Sequence, residues 1–154
     1  MSLKKFWKNK RVFITGHTGF KGTWLSIFLN MLNVQIFGYS LKPERFSLFN
    51  QTKAFKFCKK NFYSNINDLK EIKKRLSQSR PEIIFHLAAQ PLVSESYEDP
   101  VNTFNTNIIG TVNLLEAARN IKSVKSIVII TTDKVYKINN SNRSYVEDDE
   151  LGGK

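Results

Sequence analysis

The feature that most constrains this chain is a glycine-spaced turn set between a strand and a helix. Arg11-Val12-Phe13-Ile14-Thr15 is a short apolar, β-branched run, and Gly16-His17-Thr18-Gly19-Phe20-Lys21-Gly22 follows at once. From Phe20 to Leu32 the residues Trp24, Leu25, Phe28, Leu29 and Leu32 fall on one helical stripe. Strand, turn and helix in this order are a far stronger signal than three glycines alone. Gly16 permits the tight turn, Gly19 lets a diphosphate approach backbone N–H groups, and Gly22 allows the helix to pack against the sheet. The helix N-terminus then attracts the anion, which makes Thr18, Phe20 and Lys21 candidate contacts beside the three glycines. A P-loop fails on register: it needs a glycine directly before its lysine and Ser/Thr, and the position that should hold that glycine is Lys21.

Strands and helices alternate along the rest of the chain. Val34 to Leu41 reads as a second strand; Lys42 to Lys60 is polar and irregular from a Pro43 break, and a weak third strand lies around Asn61-Phe62-Tyr63. Asp68 caps a predicted helix to about Ser79. Pro81 opens a fourth strand, Glu82 to Ala89, that runs into a small-residue turn. Val101, Phe104, Ile108, Val112 and Leu115 step by three and four residues and predict a long helix to Arg119. Ser126 to Thr131 is a fifth strand, and Asn139 to Ser144 a polar loop. Such alternation demands right-handed crossovers and a parallel sheet. The expected fold class is therefore α/β, a Rossmann-type doubly wound sheet in the order 3-2-1-4-5, truncated after about five strands where a complete domain adds a sixth. Residues 1–154 would form one C-terminally incomplete dinucleotide-binding domain, with a substrate domain absent.

A net charge of +11 invites a nucleic-acid reading. The cations, however, are scattered from Lys4 to Lys154 and are mostly lysine, and clusters such as Lys70, Lys73, Lys74 and Arg75 sit in helix-like stretches. They read as solvated surface whose field also suits anionic small molecules. Neither nucleic acid nor a membrane is an expected partner: no run approaches about 18 uncharged apolar residues, and the N-terminus lacks a signal-peptide stretch. Cys58, the one cysteine, cannot form an internal disulfide, so the cytosol is the natural compartment. No group of His, Cys and carboxylates has metal-ligand spacing.

The Gly-x-x-Gly-x-x-Gly spacing resembles the extended short-chain dehydrogenase/reductase superfamily. His86-Leu87-Ala88-Ala89-Gln90 looks like the segment after the fourth strand that borders the cofactor, and Asn107 like that superfamily's mid-helix asparagine. Thr131-Thr132-Asp133-Lys134 closes the fifth strand where the family keeps its active-site hydroxyl. Phe6 to Gly22, Gly38-Tyr39-Ser40-Leu41-Lys42-Pro43, Ala88-Ala89-Gln90-Pro91-Leu92-Val93 and Thr132-Asp133-Lys134 are similar to the CDP-glucose 4,6-dehydratases in particular. Lys134 is the discriminating residue, since related dTDP- and GDP-sugar dehydratases carry a glutamate there. The resemblance implies NAD as cofactor, CDP-glucose as the nucleotide-sugar substrate and a homo-oligomeric whole protein. By the strand-end rule alone, Lys42 in place of an acid would favour a 2′-phosphate, so NADP stays open. The implied cofactor contacts are Gly16, Thr18, Gly19, Phe20, Lys21, Gly22, Ser40, Asn65, Ile66, Leu87, Ala88, Ala89, Gln90, Asn107 and Thr131. The implied catalytic residues are Thr132 at the sugar C4 oxygen, Asp133 as acid for the departing C6 hydroxyl and Lys134 as base for the C5 proton.

Two departures qualify that expectation. None of the residues four after Tyr39, Tyr63, Tyr97, Tyr136 and Tyr145 is lysine, so the superfamily's Tyr-x-x-x-Lys is absent and the chain by itself is expected to be inactive. Ser64-Asn65-Ile66-Asn67-Asp68 stands where relatives usually carry Gly-Asp-Ile-Arg-Asp, so Asn65 meets adenine through its amide oxygen without a charge. The remaining readings are another NAD(P)-dependent nucleotide-sugar epimerase or dehydratase and a non-catalytic NAD-binding module.

Overall fold

The computed structural model describes residues 2–132, 135–138 and 143–152. A short helix, α1 (Leu3–Trp7), leads into β1 (Arg11–Thr15), α2 (Phe20–Met31) and β2 (Gln35–Ser40). The polar stretch after β2 holds a helical turn, α3 (Leu48–Gln51), and a 3-10 turn (Ala54–Phe57) before β3 (Cys58–Tyr63). Then follow α4 (Leu69–Ser79), β4 (Ile83–His86), α5 (Val93–Glu98), α6 (Pro100–Phe104), a π-helical turn (Asn105–Ile109), α7 (Gly110–Ala118) and β5 (Ser126–Ile129). All five strands are parallel in the order β3-β2-β1-β4-β5, as the alternation predicts.

The sheet carries an apolar layer on each face. On one, Phe13, Phe37, Tyr39 and Ile84 meet Ile72 and Leu76 of α4 and Leu114, Ala117 and Ala118 of α7. On the other, Val12, Ile14 and Ile36 meet Leu29 of α2, with Trp7 and Phe85 at the margin. Asp68 does cap α4, its carboxylate accepting the Glu71 N–H at 2.9 Å.

Of two helical stripes predicted from periodicity, that of α7 is not the buried face and that of α2 is so only in part, Leu29 being buried and Leu25 and Leu32 packed against the core. In α2 it is Gly22, Thr23, Ser26 and Leu29 that turn inward, leaving Trp24 and Phe28 exposed. In α7 the buried residues are Gly110, Leu114, Ala117 and Ala118, while Val101, Phe104, Ile108, Val112 and Leu115 face outward, Phe104 being 63% exposed. The physical reason is the same in both. A helix lies closest to a sheet along its line of small residues, so large apolar side chains are displaced to the flank even where they are periodic. Phe49 and Ala54, in the stretch that reads as irregular, are by contrast fully buried.

Candidate functional site

Because every strand is parallel, all carboxyl ends arrive at one edge of the sheet. The strand order reverses between β1 and β4, and an open α/β sheet leaves a crevice for ligands at such a reversal. Thr15 pairs with His86 across this point, and the Leu87 N–H donates to the Thr15 carbonyl at 3.1 Å.

The glycine turn is built into the crevice. Gly16 sits at φ +71°, and a Cβ there would lie 2.7 Å from the Ala88 nitrogen and the Leu87 carbonyl group. Gly16 therefore supplies both the turn and the close approach of two loops. Gly22 differs from expectation: a Cβ on it would collide with backbone of the turn itself, including the His17 Cα at 2.7 Å, rather than with the sheet. Gly19, the N-cap of the 12-residue α2, faces open space; a Cβ would meet only the Gly16 carbonyl oxygen, at 3.4 Å. A side chain at Gly19 would project into this open space. This open, amide-lined cradle on a helix N-terminus fits a diphosphate. Lys21 and Phe20 are exposed beside it.

The turn is buttressed from beneath by His17. Its ring is fully buried, meets Phe49 edge-on at 5.2 Å and stacks on Tyr63 at 6.2 Å. Its Nε2 lies 3.1 Å from the Asn61 Oδ1, and the Asn61 Nδ2 donates to the Phe55 carbonyl at 3.0 Å. As Oδ1 can only accept, Nε2 carries the proton and Nδ1 is bare, with no hydrogen-bond partner. Burial pulls the His17 pKa down to about 4 against the opposing pull of the Asn61 hydrogen bond. His17 therefore does not contact a ligand; it is the packing core of the turn.

The other site candidates fall around the same edge. The Thr18 and Ser40 hydroxyls lie 2.7 Å apart, tying the turn to the end of β2. No carboxylate occurs between Gly38 and Lys42, and Lys42 is exposed. Asn65 is exposed too, but its amide oxygen already accepts the Asn67 N–H at 2.9 Å, so the expected adenine acceptor has a prior partner. Ile66 is buried against Gly110, and only its backbone could face a ligand. The Leu87 and Ala88 backbone abuts Gly16 across the crevice, and Ala89 and Gln90 continue the same loop. Asn107 is not a free contact: its Oδ1 accepts from the Gln90 N–H at 2.8 Å and its Nδ2 donates to the Gln90 carbonyl at 3.1 Å. Thr131 and Thr132 follow β5 at this edge and are exposed. Asp133 and Lys134 lie outside the described residues. Thr15 and Thr103, which are not among the predicted site residues, hydrogen-bond the loop after β4 into place, and Thr111, likewise not predicted, meets the His86 ring at the end of β4. Of these only Thr15 has a local signal, a hydroxyl closing an apolar strand immediately before a glycine.

Residues 13–148 match the model of the GDP-mannose 4,6 dehydratase family. The chain belongs to that family. It is 42% identical over 97% of its length to the CDP-glucose 4,6-dehydratase of Salmonella typhimurium, of which it spans 42%. Among solved structures it matches Thermus thermophilus UDP-glucose 4-epimerase complexed with NAD at a TM-score of 0.79 and 26% identity, covering 94% of this chain and 45% of that one. The Brucella ovis UDP-glucose 4-epimerase, also solved with NAD, matches at 0.80 over 94% of this chain and 42% of that one, and at 20% identity it bears on the fold alone. This member of the GDP-mannose 4,6 dehydratase family thus spans less than half the length of the relatives it resembles. Among the described residues no helix is long and apolar enough to cross a membrane, and no group of His, Cys, Asp and Glu is arranged to hold a metal ion.

Proposed function

We propose that this chain is the dinucleotide-binding portion of a nucleotide-sugar 4,6-dehydratase that takes NAD and acts on CDP-glucose. The glycine cradle carries the cofactor half of the reading: a Cβ at Gly19 would meet only the Gly16 carbonyl oxygen, at a helix N-terminus and at the reversal of strand order. The 42% identity to the Salmonella enzyme supports the substrate half.

Bound NAD supplies a hydride acceptor and donor. The chain's own residues bind and orient around it. The backbone of Gly16 to Gly22 holds the diphosphate, Ser40 and Thr18 lie at the ribose end, Asn65 and the Ile66 backbone at the adenine, and Leu87 to Gln90 along the opposite side. Past β5, the Thr132 hydroxyl hydrogen-bonds the sugar C4 oxygen. Asp133 protonates the departing C6 hydroxyl and Lys134 removes the C5 proton; each needs a pKa displaced toward neutrality. The loss of water turns CDP-glucose into CDP-4-keto-6-deoxyglucose. The chain alone is inactive because it brings no Tyr-x-x-x-Lys to take the C4 hydroxyl proton. The whole protein is a cytosolic homo-oligomer.

Calorimetric titration of the purified chain with NAD, NADP and CDP-glucose tests this. The expected result is binding of NAD, abolished by Gly19→Val, with no formation of a 4-keto sugar. Lys42 is the observation that favours NADP, and tighter binding of NADP than NAD would replace the cofactor assignment. No binding of either would overturn the reading.

A further inference from the structure

We infer that His86 is a positioning residue for the dinucleotide site, acting as a ring of fixed tautomer that orients the Leu87–Ala88 backbone through Thr15. The inference rests on the dinucleotide reading above.

The argument is one of proton counting. His86 ends β4 and is 2% exposed. Its Nε2 lies 3.0 Å from the Thr111 Oγ1, and its Nδ1 lies 2.6 Å from the Thr15 Oγ1. The Thr111 hydroxyl donates its single hydrogen to the Asn107 carbonyl at 2.7 Å. Toward the ring it can only accept, so Nε2 carries the proton and Nδ1 is the acceptor. The Thr15 hydroxyl hydrogen must then point to Nδ1. That leaves the Thr15 lone pairs facing the Leu87 and Ala88 N–H groups, each 3.2 Å away. The bonds therefore run in one sense, from the loop amides through Thr15 and His86 to Thr111 and the π-helical turn.

The loop so oriented is the one that Gly16 abuts, at 2.7 Å from a Cβ position to Leu87 and Ala88 backbone. Turning the Thr15 hydroxyl would release the Ala88 amide and leave the Leu87 amide only its bond to the Thr15 carbonyl, on the wall against which the glycine turn packs. Burial holds the His86 pKa near 4, so the ring stays neutral and the pattern is kept. His86 touches no ligand; it acts through Thr15.

Two measurements test the role. Long-range proton–nitrogen correlation spectra of the labelled chain at neutral pH read the tautomers of its two histidines, His86→Asn assigning the signals. Protonated Nε2 with bare Nδ1 is expected at His86; the reverse tautomer, or rapid exchange between the two, overturns the proposal. Calorimetric titration with NAD then compares His86→Asn, which keeps an acceptor near Nδ1, with His86→Phe, which fills the ring's volume but accepts nothing. His86→Phe should weaken NAD at least about tenfold and His86→Asn no more than about threefold, as the loss or retention of one buried hydrogen bond requires. The opposite order, with Phe binding normally and Asn weakly, would make the ring mere packing and overturn the role. If either variant has lost its cooperative thermal transition, the tautomer decides alone. Failure of the unaltered chain to bind NAD removes the dinucleotide reading and this role with it, whereas a wrong tautomer removes only the latter.

Discussion

Asn107 holds the backbone of Gln90 at both its polar groups, accepting from the N–H at 2.8 Å and donating to the carbonyl at 3.1 Å. A side-chain amide used in this way imitates a neighbouring strand, and it clamps a loop that has no strand beside it. The π-helical turn at Asn105–Ile109 is where the clamp is mounted; such widened turns recur where a helix must re-aim a side chain. Replacing Asn107 by Ala leaves both Gln90 groups without this partner and should cost about 1–2 kcal/mol. Asn107→Asp keeps the acceptor but sets an oxygen against the Gln90 carbonyl, and its deficit should shrink as the carboxyl is protonated. Urea unfolding of the two variants at neutral and acidic pH reads this, and an unchanged midpoint for Asn107→Ala would contradict it.

The three turn glycines should separate cleanly by what they touch. A Cβ at Gly22 strikes backbone that has nowhere to go, so Gly22→Ala is expected to cost about 3 kcal/mol or more. Gly19 is extended at φ −74° and open on its outer side. Gly19→Ala should therefore stay within about 1 kcal/mol of the parent, the usual loss at an N-cap. Thermal unfolding of both variants makes the comparison directly.

Gly38 and His17 form a second steric pair. A Cβ on Gly38 of β2 would lie 2.5 Å from the His17 Nε2 and closer still to the ring carbons. Gly38→Ala alone should cost about 2–3 kcal/mol, the range for overpacking a filled core. Once His17→Ala has removed the ring, the added methyl should cost little. A double-mutant cycle should thus give a coupling of about 1 kcal/mol or more; simple additivity would show that the ring moves aside freely.

Acid should destabilise the fold through the same two imidazoles. Burial lowers the pKa of His17 and of His86 from 6.5 to about 4. Between those values the unfolded chain binds protons that the native chain refuses, so stability falls as pH drops from 6.5 toward 4. Each ring accounts for about 3 kcal/mol across that window at most. Denaturant titrations from pH 7 to 4 should follow this slope, and His86→Asn should flatten it by about half. A carboxylate such as Glu82, whose pKa the Lys10 ammonium lowers, acts in the same sense but at lower pH.

The outward stripe of α6 and α7 predicts self-association. Val101 is 70%, Phe104 63% and Val112 54% exposed, and together with β5, whose outer edge is unpaired in the described sheet, they make an adhesive flank. Sedimentation velocity should show a concentration-dependent rise in mass. Phe104→Lys with Val112→Lys should suppress it while changing stability by no more than about 0.5 kcal/mol per site, as for exposed positions generally.

Much of the architecture can be read in the sequence because its signals are local. Arg11 to Thr15 and the glycine spacing specify strand, turn and helix within a dozen residues, and the alternation that follows leaves few strand orders open. What escapes the reading depends on partners distant in sequence. Trp24 and Phe28 are periodic, yet Thr23 and Ser26 lie inward because the sheet admits only small side chains at closest approach. Phe49 sits in a polar stretch and is buried by His17, a residue 32 positions earlier. Asn107 was legible as a special position, but its partner Gln90 was not, since hydrogen bonds between a helix and a loop leave no pattern in either. The acid and base proposed at 133 and 134 rest on the strand-end motif.

The strand at the middle of the sheet is the first to be made. β1 is completed at Thr15, and one of its two neighbours, β4, pairs Thr15 with His86, 71 positions later. Closing a loop of that length costs about 4 kcal/mol of chain entropy before any pairing offsets it. During synthesis the most buried strand must therefore wait, one edge satisfied by β2 and the other bare, until the ribosome has delivered residue 86. The interval in which this chain is most exposed to mispairing is set by translation speed across α3, β3 and α4, and slow codons there would prolong it.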